Sequence, residues 1–117
     1  DLTQEGLEVV RAIRDNNWLQ GLNPWSAGLI GGAVDCSSGC RVEYNSVGLL
    51  SLESNPTIGI DANGFYQYTS GTSTPFKRKI TITSISADQI KVVSETTWSE
   101  RGRSFVVSAE DRLYNWK

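Results

Sequence analysis

The chain has 117 residues and a formal net charge of −2, which fits one globular domain with a single hydrophobic core. It has no histidine, so it lacks the usual general base, the usual metal ligand and the side chain that titrates near neutral pH. Residues 77–117 hold eight basic and five acidic side chains, an excess of three positive charges. This balance argues against bulk nucleic-acid binding but allows a small basic patch. Residues 1–117 contain no apolar run of about eighteen residues, the length that would predict a membrane span.

The first predicted element is an amphipathic helix over residues 4–19. Thr3 is a candidate cap, but Gly6 stands where a capping box would place Glu or Gln. We therefore expect this segment to be the second half of a longer helix whose first part is missing. Apolar residues follow one side at near-helical spacing: Leu2, Leu7, Val9, Val10, Ile13 and Trp18.

Glycines and Pro24 break regular structure between residues 20 and 39, yet the segment is too apolar for a free linker. We expect an ordered loop that folds over the core. Trp25 either lines a ligand site or fills the gap between helix and sheet, and the packing interpretation is favoured because most buried aromatic residues serve packing.

Cys36 and Cys40 are separated by Ser-Ser-Gly, which lets the chain turn back on itself. The spacing favours a disulfide, and a disulfide would indicate an oxidising, extracytoplasmic compartment. The alternative is a pair of reduced thiols in a loop. A zinc site is disfavoured because two thiolates with Asp35 and Glu43 make a poor ligand set, and a redox site would prefer two spacer residues.

Short strands are predicted over residues 41–45 and 47–53, before a turn at Asn55-Pro56. Asp61-Ala-Asn-Gly64 resembles part of a calcium loop but lacks its later oxygen ligands. Asn-Gly between two apolar runs is first a hairpin signal, so we expect a turn there. Lys77, Arg78 and Lys79 are candidate ligand contacts for phosphate, although charges beside a strand more often protect a sheet edge.

The last third of the chain shows the clearest pattern. β-branched residues alternate along 80–83 and 90–98, and Phe105, Val107 and Ala109 alternate with Val106, Ser108 and Glu110. Short turns at 87–89 and 99–102 join these strands into an antiparallel meander. Leu113, Tyr114 and Trp116 are expected to hold the C-terminus against the domain.

The sequence therefore predicts one α+β domain over residues 1–117. A helix occupies residues 1–19, a loop with short strands occupies 20–76, and a β-meander occupies 77–117. The helix is the only long amphipathic element, so we expect it to cover the apolar face of the sheet formed by residues 78–113.

Three segments carry a resemblance to a known family. They are QEGLEVVRAIRD at 4–15 with Trp18, PFKRKI at 75–80, and WSERGR at 98–103 running on to 113–116. With this order of elements, the chain resembles the soluble domain of a type IV pilin or type II secretion pseudopilin. The closer likeness is to bacterial prepilin-like proteins that carry a cleavage/methylation leader. The resemblance covers both ends and part of the middle, about half of the chain.

The resemblance implies a structural subunit of a pilus-like filament at the bacterial cell surface, with other pilin subunits as partners. We expect no cofactor and no metal. In that family an apolar helix half precedes the globular domain, anchors the subunit in the membrane before assembly and then packs in the filament core. None of those residues is present here. The cysteine pair departs from the family, because it lies before the sheet rather than closing a large C-terminal loop. An adhesion role for such a loop is therefore not expected.

Other functions find less support in the residues. Ser37 and Ser38 have no histidine partner, and Glu100 and Glu110 fit ordinary solvated charges better than paired catalytic carboxylates, so we expect no enzyme. The alternatives are a type II secretion pseudopilin that binds calcium, or a surface module that binds DNA or glycans. The binding module would use the bases at 77–79 and exposed aromatic side chains at Trp25, Tyr66 or Tyr68.

Overall fold

The computed structural model describes residues 2–21, 25–32, 34–45 and 48–115. Helix α1 spans Leu2–Leu19 and is followed by eight strands. The first five are two residues long: β1 Cys40–Arg41, β2 Leu50–Ser51, β3 Gly59–Ile60, β4 Tyr66–Gln67 and β5 Thr72–Ser73. The last three are long: β6 Lys77–Ser86, β7 Gln89–Glu100 and β8 Arg103–Tyr114.

The described strands form two antiparallel sheets. The larger sheet has the order β2-β1-β6-β7-β8, and a small sheet has the order β4-β3-β5. Helix α1 lies on β6, β7 and β8. The predicted α+β class, the terminal meander and the packing of the helix on the meander are therefore confirmed.

The core forms between one side of α1 and alternate residues of the meander. Leu7, Val10 and Ile13 are buried on the helix, at the i, i+3, i+6 spacing of one helical face. Burying each such side chain contributes about 1.5–3 kcal/mol to the free energy of folding. The facing strand residues are also buried: Ile80, Ile82, Ile90, Val92 and Leu113.

Strand register fixes where the helix begins relative to the sheet. Thr96 pairs with Arg78 on one side and with Val107 on the other, and Thr3 at the start of α1 shares a hydrogen bond of 2.7 Å with Thr96 between their hydroxyls. Trp98 lies two residues further along β7 on the same face. The first turn of α1 thus reaches the position of Thr96, and the sheet continues beyond it.

Several predicted boundaries differ from the structure. The strand expected at 41–45 is limited to Cys40–Arg41, because only these residues find partners in β2 and β6. The strand expected at 47–53 is limited to Leu50–Ser51, and Val47 lies outside the described residues. The turn near residue 55 closes through a hydrogen bond of 2.8 Å from Asn55 N to Leu52 O. Pro24, Trp116 and the first and last residues are likewise not described.

One expectation about β8 is wrong. The alternation at Phe105 and Val107 predicts side chains under a cover, but they are 38% and 45% exposed. Leu113, at the far end of the same strand, is buried. Phe105 pairs with Trp98, beyond the level of Thr3, and Val107 lines an open cleft beside the first turn of α1.

Gly6 allows α1 to approach the sheet closely. A Cβ atom at this position would stand 2.6 Å from Ser94 Oγ and 3.0 Å from Ile80 Cδ1. Ser94 Oγ is itself buried and makes no hydrogen bond. We predict that Gly6→Ala lowers the free energy of unfolding by about 1–3 kcal/mol, because overpacking outweighs the gain of about 1 kcal/mol in helix propensity.

Ser94→Ala is the matched control, because it removes the closest clashing atom. Alone it should change stability little, since the buried hydroxyl is unpaired. In combination with Gly6→Ala it should recover part of the lost stability, as measured by denaturant unfolding of all four proteins. Equal or greater stability of Gly6→Ala relative to the wild-type chain would show that helix and sheet do not approach as described.

Candidate interaction surfaces

The central base of the Lys77–Lys79 triplet is buried. The Arg78 side chain is 0% exposed and points toward α1. Its Nη1 donates to Leu2 O and to Glu5 Oε1, both at 2.9 Å, and its Nη2 donates to Val42 O at 2.7 Å. Arg78 therefore joins the start of the helix to the sheet and to the chain after β1.

The two flanking bases lie on the opposite face of β6, because neighbouring residues of a strand point to opposite sides. Lys77 is exposed, and Lys79 Nζ lies 3.8 Å from Glu95 Oε1 on β7. The expectation that Lys77, Arg78 and Lys79 are ligand contacts is corrected for Arg78, whose two terminal nitrogens are buried and donate to protein oxygens. Two lysines, one of them beside a carboxylate, remain at the surface.

Cys36 and Cys40 are bonded to each other in the structure, in agreement with the spacing. Both residues are buried, and their Cα atoms lie 4.9 Å apart. Cys36 O accepts a hydrogen bond from Ile82 N, and Cys40 pairs with Ile80. The disulfide therefore holds the end of the glycine-rich loop against β6. Its buried position indicates a role in packing.

Trp25 fills space between the loop and the meander. It is 7% exposed, and its Nε1 donates to Ala87 O at 3.1 Å. Asn17 near the end of α1 donates to Trp25 O and Ala27 O at 2.8 and 2.9 Å. These contacts agree with the packing interpretation of Trp25 and explain how an irregular segment stays ordered over the core.

The Asp61–Gly64 segment is the turn of a hairpin. Gly64 N donates to Asp61 O, and β3 pairs with β4 on either side of the turn. Asp61 Oδ1 accepts hydrogen bonds from Asn63 N and Phe65 N, and Oδ2 accepts one from Gln67 Nε2. Backbone donation from Phe65, opposed by some desolvation, holds the pKa of Asp61 below its usual value. Both carboxylate oxygens therefore serve the turn.

The other candidate acids and hydroxyls are separate from one another. Ser37 N donates to Asp35 Oδ1 at 2.8 Å, and this backbone hydrogen bond lowers the pKa of Asp35. Glu110 lies 3.5 Å from Arg112 Nε, and Glu100 is exposed at the end of β7. Within the ranges the structure describes, no three acidic or cysteine side chains gather as metal ligands would.

The tyrosines proposed to stack on sugars are half-buried. Arg41 lies over the ring of Tyr68, with its guanidinium carbon 4.5 Å from the ring centre. Burial raises the pKa of the Tyr68 hydroxyl. Tyr66 lies beside Leu2 in a shallow cleft of about 210 Å³. Neither ring offers the flat open platform that sugar stacking requires.

A row of three aromatic side chains lies on the helix face of the sheet, just beyond the start of α1. Phe76 meets Trp98 edge-on at 5.5 Å between ring centres, and Trp98 stacks on Phe105 at 5.4 Å. Phe105 is 38% exposed, and Trp98 is half-buried. We call Phe76, Trp98 and Phe105 the aromatic row.

The sequence itself indicates the aromatic row through the turn that joins β7 to β8. A two-residue turn at Arg101-Gly102 pairs Glu100 with Arg103 and therefore sets Trp98 opposite Phe105. The expected helix starts too late along the chain to reach that pair. An uncovered apolar row follows from these two facts taken together.

Comparison with protein-family models, with curated proteins and with solved structures gives no match. Along the described ranges, no helix has the length and apolar character needed to cross a bilayer. The likeness to pilins remains a prediction from the sequence.

The burial of Arg78 predicts different roles for adjacent bases. Arg78→Ala should lower the free energy of unfolding by about 3–5 kcal/mol, because it removes the partner of the Glu5 carboxylate and the hydrogen bonds to Leu2 O and Val42 O. Lys77→Ala, the matched control one residue away, should change it by no more than about 0.5 kcal/mol. Urea unfolding of both variants measures this difference. Similar small effects for the two substitutions would contradict the burial of Arg78.

Proposed function

We propose that this chain is the globular domain of a structural, non-catalytic subunit of a type IV pilus-like filament. The observation that carries the proposal is the aromatic row beyond the start of α1. Leu2 and Thr3 are already buried in the first described turn, and the helix face of the sheet continues past them to Trp98 and Phe105. A helix that extends upstream of Leu2 would cover this row.

Helix and strand dimensions support that extension. Trp98 lies two strand residues beyond Thr96, a distance of about 6.8 Å. One further turn of helix advances about 5.4 Å, so one to two turns before Leu2 would lie across the aromatic row. The same helix would then leave the sheet, and an apolar half beyond that point would anchor the subunit in the membrane before assembly and pack against other subunits in the filament.

The disulfide fits the location that this proposal requires. Cys36 and Cys40 lie in the domain that would face the exterior of the cell, where an oxidising environment preserves such bonds. The contacts of Arg78 fit as well. They fix the helix to the sheet at Leu2 and Glu5, one to two turns from the point at which the proposed membrane half would begin.

The proposal predicts an apolar segment in the coding sequence upstream, and it predicts that the upstream helix protects Phe105 from solvent. The gene should encode, upstream of Asp1, a helical segment with about 20 apolar residues, the length that crosses a bilayer. Phe105→Cys should react readily with a maleimide in the present chain and at least several-fold more slowly in detergent-solubilised full-length subunit. Ile85→Cys, 46% exposed at the other end of the meander, is the matched control and should react equally in both.

Two results would overturn the proposal. The first is a coding sequence that lacks the apolar segment upstream. The second is a Phe105→Cys thiol that reacts at the same rate with and without the upstream segment, because the helix would then not cross the aromatic row. Labelling is performed without reductant, so that the bonded Cys36 and Cys40 contribute no background.

A type II secretion pseudopilin is the second candidate, favoured by the surface position of the Asp-x-Asn-Gly hairpin. Such a protein is expected to bind calcium there. Because Asp61 already accepts three hydrogen bonds within its own hairpin, we predict that millimolar calcium leaves the melting temperature unchanged. Thermal melts with calcium or with EGTA measure this. A calcium-dependent rise that Asp61→Asn abolishes would favour the pseudopilin over the pilus subunit.

A further inference from the structure

The outer edge of β8 is a long strand edge with an apolar centre. Among the described residues, β8 is a terminal strand of the five-stranded sheet, and no strand pairs with its outer side. It is twelve residues long, whereas β2 at the opposite edge has two residues. Every second N–H and C=O of β8 points away from β7, because hydrogen bonds alternate in direction along an antiparallel strand.

The side chains at the centre of this edge are apolar on both faces. Phe105 and Val107 point to the helix face at 38% and 45% exposure, and Val106 points to the other face at 60%. The segment Ser104–Ser108 contains no charge, glycine or proline. Natural sheets usually interrupt such an edge with lysine, proline or a bulge, and β8 pairs with β7 from Gln89↔Tyr114 to Glu100↔Arg103 without a register shift.

The charges of β8 are arranged so that the strand complements itself. Arg103 lies at its start and Asp111 near its end, both on the helix face, with Val107 midway between them. When two copies of β8 run antiparallel about Val107, each Arg103 faces the Asp111 of the other copy. Phe105 then faces Ala109, and the two Val107 side chains face each other on the two-fold axis.

We propose that β8 pairs with β8 of a second copy of this chain, antiparallel and centred on Val107, to form one continuous ten-stranded sheet across two molecules. Opposite charges directly across a strand pair stabilise it, and this register forms two such pairs. Neighbouring registers lose both pairs. Centring on Ala109 sets Val107 opposite Asp111, and centring on Val106 sets Arg103 opposite Ala109. This inference does not depend on the proposed filament role.

The pairing uses a different surface from the aromatic row. The second copy would bind the backbone edge of β8, whereas the proposed upstream helix would bind the face that carries Trp98. Asp111 can serve both molecules, because its Oδ2 accepts a hydrogen bond from Arg11 on α1, and the same carboxylate has further acceptor capacity. The intermolecular arginine would approach from the open side of the strand.

A cysteine placed on the two-fold axis tests the register. Under mild oxidation, Val107→Cys should form a disulfide-linked dimer, because directly opposed residues of an antiparallel pair have Cβ atoms about 4.5–5.5 Å apart. Val106→Cys, the matched control on the adjacent residue, faces Ser108 of the other copy and should cross-link at least several-fold less. Equal cross-linking of the two variants, or preferential cross-linking of Val106→Cys, would overturn the proposed pairing.

A mixing experiment tests the charge pairs without requiring a cross-link. Arg103→Asp alone sets two aspartates opposite each other, and Asp111→Arg alone sets two arginines opposite each other. At a protein concentration at which the wild-type chain sediments as a dimer, each variant should therefore sediment as a monomer. An equimolar mixture should restore the dimer. In the mixed dimer the introduced aspartate of one chain would face the introduced arginine of the other, and the unchanged Asp111 would face the unchanged Arg103. Far-UV circular dichroism confirms that both variants are folded.

Three results of the sedimentation experiment would overturn the proposal. The first is a wild-type chain that remains monomeric at millimolar concentration. The second is a dimer that neither single substitution weakens. The third is a mixture of folded variants that remains monomeric. The control is Ile85→Lys, which replaces an exposed apolar side chain on β6 with a charged one. This variant should dimerise as the wild-type chain does, whereas non-specific apolar association would be weakened by it.

Discussion

The position of the helix depends on one buried guanidinium. Arg78 donates to the carbonyls of Leu2 and Val42 and to the carboxylate of Glu5, and its side chain has no contact with solvent. Removing a guanidinium from water is costly, and these three hydrogen bonds offset that cost only when helix and sheet hold a single geometry. With this geometry Gly6 faces Ser94, and the apolar side of α1 turns toward the core.

The same interaction divides the helix face of the sheet into two parts. Arg78, Thr96 and Thr3 form a polar belt across β6, β7 and the start of α1. On one side of the belt lies the apolar core, which includes Ile80, Val92 and Leu113, each at most 2% exposed. On the other side lies the aromatic row. The aromatic row is therefore a packing surface separate from the core, and its partly exposed rings leave room for another element.

The sequence pattern predicted the helix and the long strands better than it predicted which of their side chains other elements bury. The meander followed from alternation and short turns, and the helix followed from its periodic apolar side, because these are local signals. The strands at 40–41 and 50–51 are bounded by partners distant in sequence, which local patterns do not specify. The exposure of Val107 could not be read from alternation, which tells which face a side chain takes but not whether anything covers that face.

Arg78 was expected to contact a ligand at the surface, and its burial is instructive. Its position, two residues before Ile80 and four before Ile82, assigns it to the buried face of β6, whereas its charge assigns it to the surface. Burial prevailed because protein oxygens at Leu2, Glu5 and Val42 accept hydrogen bonds from both terminal nitrogens of the guanidinium. Three consecutive bases on a regular strand therefore place at least one side chain on each face of the sheet. They can share one face only where the strand is interrupted.

The two open surfaces of the meander differ in what they require of a partner. The aromatic row is a face, so it needs apolar side chains from an element that lies across the strands, as α1 does over the core. The outer side of β8 is an edge, so it needs backbone donors and acceptors from another strand. Phe105 lies where the two surfaces adjoin, since it belongs to the aromatic row and faces Ala109 of the second copy in the proposed pairing. The two partners would therefore bind different parts of one sheet, whose position against α1 is fixed by Arg78.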